Sequence, residues 1–182
     1  HDEHDEHGHG EFDVHVWLDP ENAKVLVIEI KQSLIELDPS NAAQYQLNSD
    51  ELMVRLDQLI DNVSVKLASE KEKGFVVFHD AYQYFETDFD FAASGAISVS
   101  DASDPSPARI AEIRGQVAEH GVVCVLAEPQ FNPGLVATVL SGSDAQMGIV
   151  DPLRSDLQLG SELYPQLIRH LAGALARCVR SQ

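Results

Sequence analysis

The stretch Phe75-Val76-Val77-Phe78-His79 decides the fold of this chain. Its first four residues are apolar and β-prone, without the alternation that marks a strand with one solvated face. A second run of the same kind, Val122-Val123-Cys124-Val125-Leu126, follows further along the chain. Strands that are apolar throughout are typical of a parallel sheet covered on both faces, so the two runs predict an α/β fold.

Helical patterns alternate with these strands along the chain. Weaker strands are predicted over 96–99 and 147–150, and helices over 20–37, 42–72, 81–85, 107–120, 133–140 and 161–180. This alternation predicts a small four-stranded parallel sheet with helices on both faces. The helix over 42–72 has one apolar stripe at three- and four-residue steps, so we expect a long helix to precede the sheet.

Polar residues follow three of the predicted strands. His79 ends the first run, Glu128 comes soon after the second, and Asp151 follows the last strand. In an open parallel sheet, ligands bind beyond the carboxyl ends of the strands, so we expect these side chains at one edge. Nitrogen and oxygen donors together suit a divalent metal. Alternatively, His79 is a core histidine that caps the next helix, and Glu128 and Asp151 stabilise turns before the prolines that follow them.

The first ten residues, HDEHDEHGHG, interleave four histidines with four carboxylates. No apolar residue occurs before Phe12, so the stretch cannot join a core and is predicted to be mobile. Imidazole with carboxylate suits transition metals, zinc above all, and predicts a metal-collecting tract. Its proposed ligands are His1, His4, His7 and His9. A purification tag and a solvated acidic run with incidental histidines are the alternatives.

A further histidine, His15, lies beside the single tryptophan in the stretch DVHVWLD over 13–19. Its apolar neighbours favour an ordered side chain, so His15 is the best candidate for a fixed ligand outside the sheet. The alternative is a surface histidine on an edge strand. His120 and His170 are interpreted as structural, the first at a helix end and the second among arginines.

The composition limits the functions open to the chain. It has 182 residues and a formal net charge of -18, and no basic patch is recognised, which argues against nucleic acid and favours cations. No apolar run is long enough to span a membrane. No catalytic motif is found, so we expect no enzyme, and a metal-dependent hydrolase with Glu128 as general base is the weaker alternative. Cys124 and Cys178 lie in no metal-binding spacing, which leaves two buried thiols or one disulfide.

Four segments resemble one known family when they are taken in order. They are His15-Val16-Trp17-Leu18-Asp19-Pro20, Phe78-His79-Asp80-Ala81-Tyr82-Gln83-Tyr84-Phe85, Ala127-Glu128-Pro129-Gln130-Phe131 and Val150-Asp151-Pro152-Leu153. Together they resemble the periplasmic zinc-binding subunit of bacterial zinc ABC importers, a metal-binding branch of the solute-binding proteins. The family fold has two α/β lobes joined by one long helix, with the metal between the lobes.

The resemblance implies an organisation for the chain. Residues 1–13 match a flexible metal-collecting tract, 14–41 a remnant of the N-terminal lobe, 42–73 the connector helix, and 74–182 the C-terminal lobe. The family's N-terminal lobe, with its own first histidine ligand, is absent from the sequence, which begins within the charged loop. We therefore expect at best two histidine ligands completed by a carboxylate or water. An exposed apolar patch is expected on the helix over 20–37.

The resemblance also implies roles for individual residues. His15 and His79 match metal ligands, and Glu128 matches a residue that contacts the ligands and does not bind the metal itself. Asp151 matches the position that supplies a carboxylate in manganese-binding relatives. Cys124 and Cys178 match a pair that is disulfide-bonded in some members, as suits an oxidising periplasm.

The implied function is reception of Zn²⁺ in the periplasm and its delivery to an importer permease and ATPase. Histidine at position 79 favours zinc, because manganese prefers more oxygen ligands. A zinc buffer or sequestering domain, a manganese- or iron-binding relative and an adhesion-type relative are the alternatives.

Overall fold

The computed structural model describes residues 13–98, 105–119, 121–154 and 157–180. The predicted ligands of the tract, His1, His4, His7 and His9, lie outside the described residues, and so does His120. Four parallel strands form one sheet: β1 (Gly74–His79), β2 (Gly95–Ser98), β3 (Val122–Ala127) and β4 (Gln146–Ile149). Their order is β2-β1-β3-β4. The predicted four-stranded parallel sheet is confirmed.

Six α-helices are present in the described ranges. They are α1 (Pro20–Leu37), α2 (Ala42–Leu67), α3 (Gln83–Phe89), α4 (Pro107–Glu119), α5 (Pro133–Leu140) and α6 (Leu163–Arg180). Apolar residues of α2, α3 and α6 form a core on one face of the sheet, and those of α4 and α5 form a core on the other. The predicted cover on both faces is therefore confirmed. Within the described part of the chain, no helix is both long and apolar enough to cross a membrane.

Helix α1 begins as the sequence predicts. The side chain of Asp19 accepts hydrogen bonds from the backbone amides of Glu21 and Asn22, and Pro20 occupies the first helical position. Much of the apolar surface of α1 is left uncovered, with Val25, Ile30 and Leu37 among its exposed side chains. The expected exposed apolar patch is thus confirmed.

Helix α2 ends at Leu67, five residues before the predicted end at Glu72. Turns occupy residues 68–72 and bring the carboxylate of Glu70 towards the end of α6. There Glu70 is buried, and it accepts hydrogen bonds from Ser69 Oγ at 2.6 Å and Arg180 Nε at 2.5 Å. The apolar stripe of α2 also ends at Leu67, since Glu70 and Lys71 occupy the next positions of that face.

The buried, hydrogen-bonded carboxylate of Glu70 is expected to make a contribution to stability that is lost in acid. Hydrogen bonds from Ser69 and Arg180 outweigh the desolvation that opposes them and lower the pKa of Glu70 from 4.5 to about 2. Because the pKa is lower in the folded state, the stabilisation is complete above pH 4.5 and is lost as pH falls towards about 2. Glu70→Gln is expected to lower the free energy of unfolding at neutral pH by about 1–3 kcal/mol. The variant should also flatten the dependence of stability on pH in that window.

Urea unfolding of both proteins across the acid range measures the difference. Asp90→Asn is the matched control, because Asp90 is an exposed carboxylate paired with Lys71, and such pairs contribute little. An unchanged pH slope in Glu70→Gln would contradict the assignment.

Cys124 in β3 and Cys178 in α6 are joined by a disulfide, as the resemblance implied. The bond ties the helix to the sheet beside Gly148 of β4. A Cβ atom at Gly148 would lie 2.9 Å from Cys178 Sγ and 2.9 Å from Leu126 Cδ2. The absence of a side chain at Gly148 is therefore what lets the helix approach the sheet closely enough for the bond.

Candidate metal centre

His15 is held in place by a carboxylate two residues earlier. Asp13 Oδ1 accepts hydrogen bonds from the backbone amide of His15 at 2.9 Å and from its ring atom Nδ1 at 2.6 Å. Since a carboxylate only accepts, Nδ1 carries the proton, and Nε2 is the ring atom able to bind a metal. A short 3₁₀ turn over Val16–Leu18 follows directly and leads into α1.

Asp13 is a site residue that the sequence analysis missed. Burial opposes its ionisation, but hydrogen bonds from His15 and from the Gln83 side chain outweigh burial and lower its pKa. The carboxylate is therefore charged at neutral pH and orients the imidazole. The sequence shows only that an Asp lies two positions before a His. This spacing allows the carboxylate to bond the imidazole only where the backbone turns between the two residues.

His79 ends β1 and lies beside His15. Its side chain is buried, and its ring centroid lies 5.0 Å from that of His15, edge to face at 76°. Phe131 contacts the same ring at a centroid distance of 5.8 Å. The structure therefore brings together the two predicted histidine ligands, which lie 64 positions apart in the chain.

Glu128, just beyond β3, is buried behind His79. Its Oε1 lies 3.7 Å from His79 Nδ1 and accepts a hydrogen bond from Tyr82 Oη at 2.8 Å. Burial, together with the adjacent charge of Glu128, raises the pKa of Tyr82 well above its ordinary value, so the phenol remains a donor. Tyr82 is a second residue that sequence reasoning missed. It fixes a carboxylate that can orient His79.

Asp151 occupies a different position from the two histidines. Its Oδ1 accepts hydrogen bonds from Gln130 Nε2 at 3.0 Å and from the Leu153 amide at 3.0 Å. The residue lines a neighbouring cavity and is absent from the lining of the cavity that contains His15 and His79. The structure thus places Glu128 beside His79, whereas Asp151 lines the neighbouring cavity and bonds two residues in the wall of the histidine cavity.

The two histidines open onto a cavity of about 380 Å³. Its lining includes His15, Trp17, His79, Glu128, Phe131 and Pro152. Trp17 closes one side, because its indole Nε1 donates a hydrogen bond to the carbonyl of Pro152 at 3.3 Å. The polar lining of the cavity consists of the two imidazoles with Glu128 and Gln130, and nitrogen with oxygen donors suits a divalent metal such as zinc.

Across the described ranges, no three His, Cys, Asp or Glu side chains are grouped so that they could hold a metal ion together. Zinc usually takes four ligands. The described residues therefore bring together two imidazoles, with a carboxylate hydrogen-bonded or close behind each ring, and not a complete set of zinc ligands.

A family model described as "Zinc-uptake complex component A periplasmic", ZnuA, matches residues 1–178. The chain belongs to this family. A high-affinity zinc uptake system protein ZnuA of Brucella abortus is 48% identical over 170 residues, which is 93% of this chain and 51% of that protein. The ZnuA of Yersinia pestis is 36% identical over 176 residues, which is 97% of this chain and 55% of that protein. The chain thus spans about half the length of these curated relatives.

Solved structures of related proteins have the same fold. A crystal structure of ZnuA matches with a TM-score of 0.78 at 25% identity, over 91% of this chain and 59% of that one. A zinc-bound variant of AdcAII from Streptococcus pneumoniae matches with a TM-score of 0.77 at 26% identity, over 92% and 61%. The laminin-binding adhesin Lmb of Streptococcus agalactiae reaches a TM-score of 0.80 at 26% identity, over 92% and 63%.

Proposed function

We propose that this ZnuA-family chain binds Zn²⁺ as cargo in the periplasm and delivers it to the permease and ATPase of an ABC importer. The observation that carries the proposal is the pairing of His15 and His79 at 5.0 Å across one cavity. Each ring has a carboxylate behind it, Asp13 at 2.6 Å and Glu128 at 3.7 Å. Such outer carboxylates hold the ring orientation and raise the basicity of the ligating nitrogen.

The donor types favour zinc as the cargo. Imidazole suits zinc, whereas manganese prefers oxygen donors, and Asp151 is engaged with Gln130 and Leu153 in the next cavity. We propose that His15 and His79 supply two ligands. Water, or residues beyond those described here in a chain of the relatives' length, supplies the others. Asp151 is assigned no direct bond to zinc in this proposal.

The charged tract and the long helix have proposed parts in the same function. The tract with His1, His4, His7 and His9 would collect zinc weakly and raise its concentration near the fixed site. Helix α2 would connect the lobe over 74–182 to a second lobe, as the resemblance implies. The exposed apolar residues of α1 are a surface on which that lobe could pack.

Two other functions are less well supported. A hydrolase would need Glu128 to act as a base towards substrate, but this carboxylate is buried and accepts the Tyr82 hydroxyl beside His79. An adhesin has the same fold, but the curated relatives at 36–48% identity are named zinc uptake proteins. The zinc function therefore accounts for more of the site than either alternative.

Calorimetric titration with Zn²⁺ and Mn²⁺ tests the proposal on two chains. One is the chain as it stands, and the other has His1, His4, His7 and His9 replaced by asparagine. We expect one tight zinc site in both, weaker additional sites only in the first, and much weaker manganese binding. Loss of all zinc binding in the asparagine variant would show that the tract alone binds. Stimulation of a reconstituted permease–ATPase complex by the loaded protein would separate a receptor from a zinc buffer.

Asp13→Asn is expected to weaken zinc binding about 10- to 100-fold, because the charged partner of the His15 ring is lost while its size is kept. The measurement is competition with a chelator of known affinity, in the background without tract histidines. Asp57→Asn is the charge-matched control on α2, where Asp57 pairs with Lys24. Equal affinities for Asp13→Asn and the parent chain would remove Asp13 from the site.

A further inference from the structure

Two neighbouring residues at the start of α3, Gln83 and Tyr84, both bond Asp13. Gln83 Nε2 donates a hydrogen bond to Asp13 Oδ2, and Tyr84 Oη donates one to the backbone carbonyl of Asp13 at 3.2 Å. The other carboxylate oxygen, Oδ1, accepts the His15 ring at 2.6 Å. Helix α3 is therefore connected to His15 through Asp13, which lies 70 positions before Gln83 in the chain.

The segment that carries His15 buries little apolar surface of its own. Val14 is 71% exposed and Val16 is 38% exposed, whereas the side chain of Asp13 is only 9% exposed. Hydrogen bonds to an ionised carboxylate are stronger than those between neutral groups. The bonds from α3 therefore fix the start of the segment, and the fully buried Leu18 fixes its end.

Helix α3 is a firm support for these bonds. Phe85 and Phe89 are buried in the core, and their ring centroids lie 4.7 Å apart. Tyr82, directly before the helix, is also buried and donates a hydrogen bond to Glu128, the carboxylate beside His79. One short element thus holds the carboxylate behind each of the two imidazoles.

We propose that Gln83 and Tyr84 are positioning residues that hold His15 beside His79 before zinc binds. The inference rests on the proposed function, because it assigns both residues to the same zinc site. A ligand that already has its binding geometry loses less freedom on binding, so a preorganised site binds more tightly. Both side chains lie outside the described lining of the cavity, so they act through Asp13 and not on the metal.

Chelator competition with zinc tests the proposal on Gln83→Met and Tyr84→Phe, in the full chain with the tract histidines replaced by asparagine. Each substitution removes a hydrogen-bond donor and nearly keeps the size of the side chain. We expect zinc affinity to fall about threefold to tenfold in each variant. This loss is smaller than that for a group that bonds the ligand directly, since Gln83 and Tyr84 act one contact further away.

Two matched controls come from the other helices. Gln46→Met removes an exposed amide that bonds Asp50 within α2, and Tyr45→Phe removes a hydroxyl that bonds Asp38. Both bonds are made away from the cavity of the two histidines. Zinc affinity should be unchanged in both controls.

Hydrogen exchange of the His15 amide tests the positioning in the metal-free chain, where zinc plays no part. This amide donates to Asp13 Oδ1 at 2.9 Å. It should exchange about threefold to tenfold faster in Gln83→Met than in the parent, because the segment opens locally more often. The melting temperature should be unchanged, which separates local positioning from a general loss of stability.

A double-mutant cycle identifies the route by which Gln83 acts. Asp13→Ala removes the acceptor, so Gln83→Met should cost no further zinc affinity in that background. Tyr84→Phe should keep its effect there, since its acceptor is the backbone carbonyl. Additive losses for Asp13→Ala and Gln83→Met, unchanged affinity in both Gln83→Met and Tyr84→Phe, or an equal loss in the controls would overturn the role of α3 alone. Absence of tight zinc binding in the parent would overturn the proposed function as well.

Discussion

Replacement of both His15 and His79 by alanine is expected to reduce zinc affinity by more than about 100-fold. Loss of a residue that only hydrogen-bonds a metal ligand already costs up to about 100-fold, and loss of the ligands themselves should cost more. The two rings are the only described imidazoles in the cavity, and the carboxylates behind them contact the rings. Once the rings are removed, Glu128 is the carboxylate left in the lining, and it already accepts a hydrogen bond from Tyr82. Either single variant should lie between the parent and the double variant, since each leaves one nitrogen donor.

The comparison requires a background in which His1, His4, His7 and His9 are asparagine, so that binding by the tract does not hide the loss. His170→Ala is the matched control, because His170 lines the neighbouring cavity. A second readout is the melting temperature, which zinc should raise in the parent and not in the double variant. A ligand at 100 times its dissociation constant contributes about 2.7 kcal/mol to stability. Unchanged affinity in the double variant would disprove the fixed site.

The positions after the strands show how far the sequence predicts this site. His79 ends β1 and Glu128 follows β3, these strands are neighbours in the sheet, and the structure places the two side chains 3.7 Å apart. Asp151 also follows a strand, but β3 lies between β4 and β1. Two strand spacings separate the backbones by about 10 Å, so Asp151 does not lie directly beside His79 as Glu128 does. The pattern of apolar runs gives the number of strands, whereas their order depends on packing that the pattern does not encode.

The residues that orient the ligands could not be predicted for a related reason. Tyr82 reaches Glu128 across 46 positions of sequence, and Trp17 reaches Pro152 across 135. Hydrogen bonds between residues so far apart in the sequence depend on how helices and strands are placed relative to one another. The start of a helix was easier to predict from the sequence, because caps and prolines act locally, as at Asp19 and Pro20. The predicted end of α2 was wrong, and there the side chain of Glu70 contacts the distant Arg180.

Removal of the disulfide is expected to cause the largest loss of stability in this chain. The bond closes a loop between residues 54 positions apart. In the chain-entropy description, such a crosslink restricts the unfolded state and contributes about 4 kcal/mol. For a domain of this size that corresponds to a fall in melting temperature of about 8–16 °C. Cys124→Ala/Cys178→Ala is the preferred variant, because Cys124 is fully buried and a serine hydroxyl there would add a desolvation cost.

Reduction of the unmodified protein is the matched control, since it opens the crosslink and keeps both sulfur atoms. The alanine variant should be less stable than the reduced protein by about 1 kcal/mol, because it also leaves small cavities around Gly148 and Leu126. Zinc affinity of the folded variant should be unchanged, because Cys124 lies near the start of β3 and Glu128 beyond its end. Two free thiols in the denatured, unreduced protein would contradict the bond. A difference in unfolding free energy below about 1 kcal/mol would contradict its proposed effect on the unfolded state.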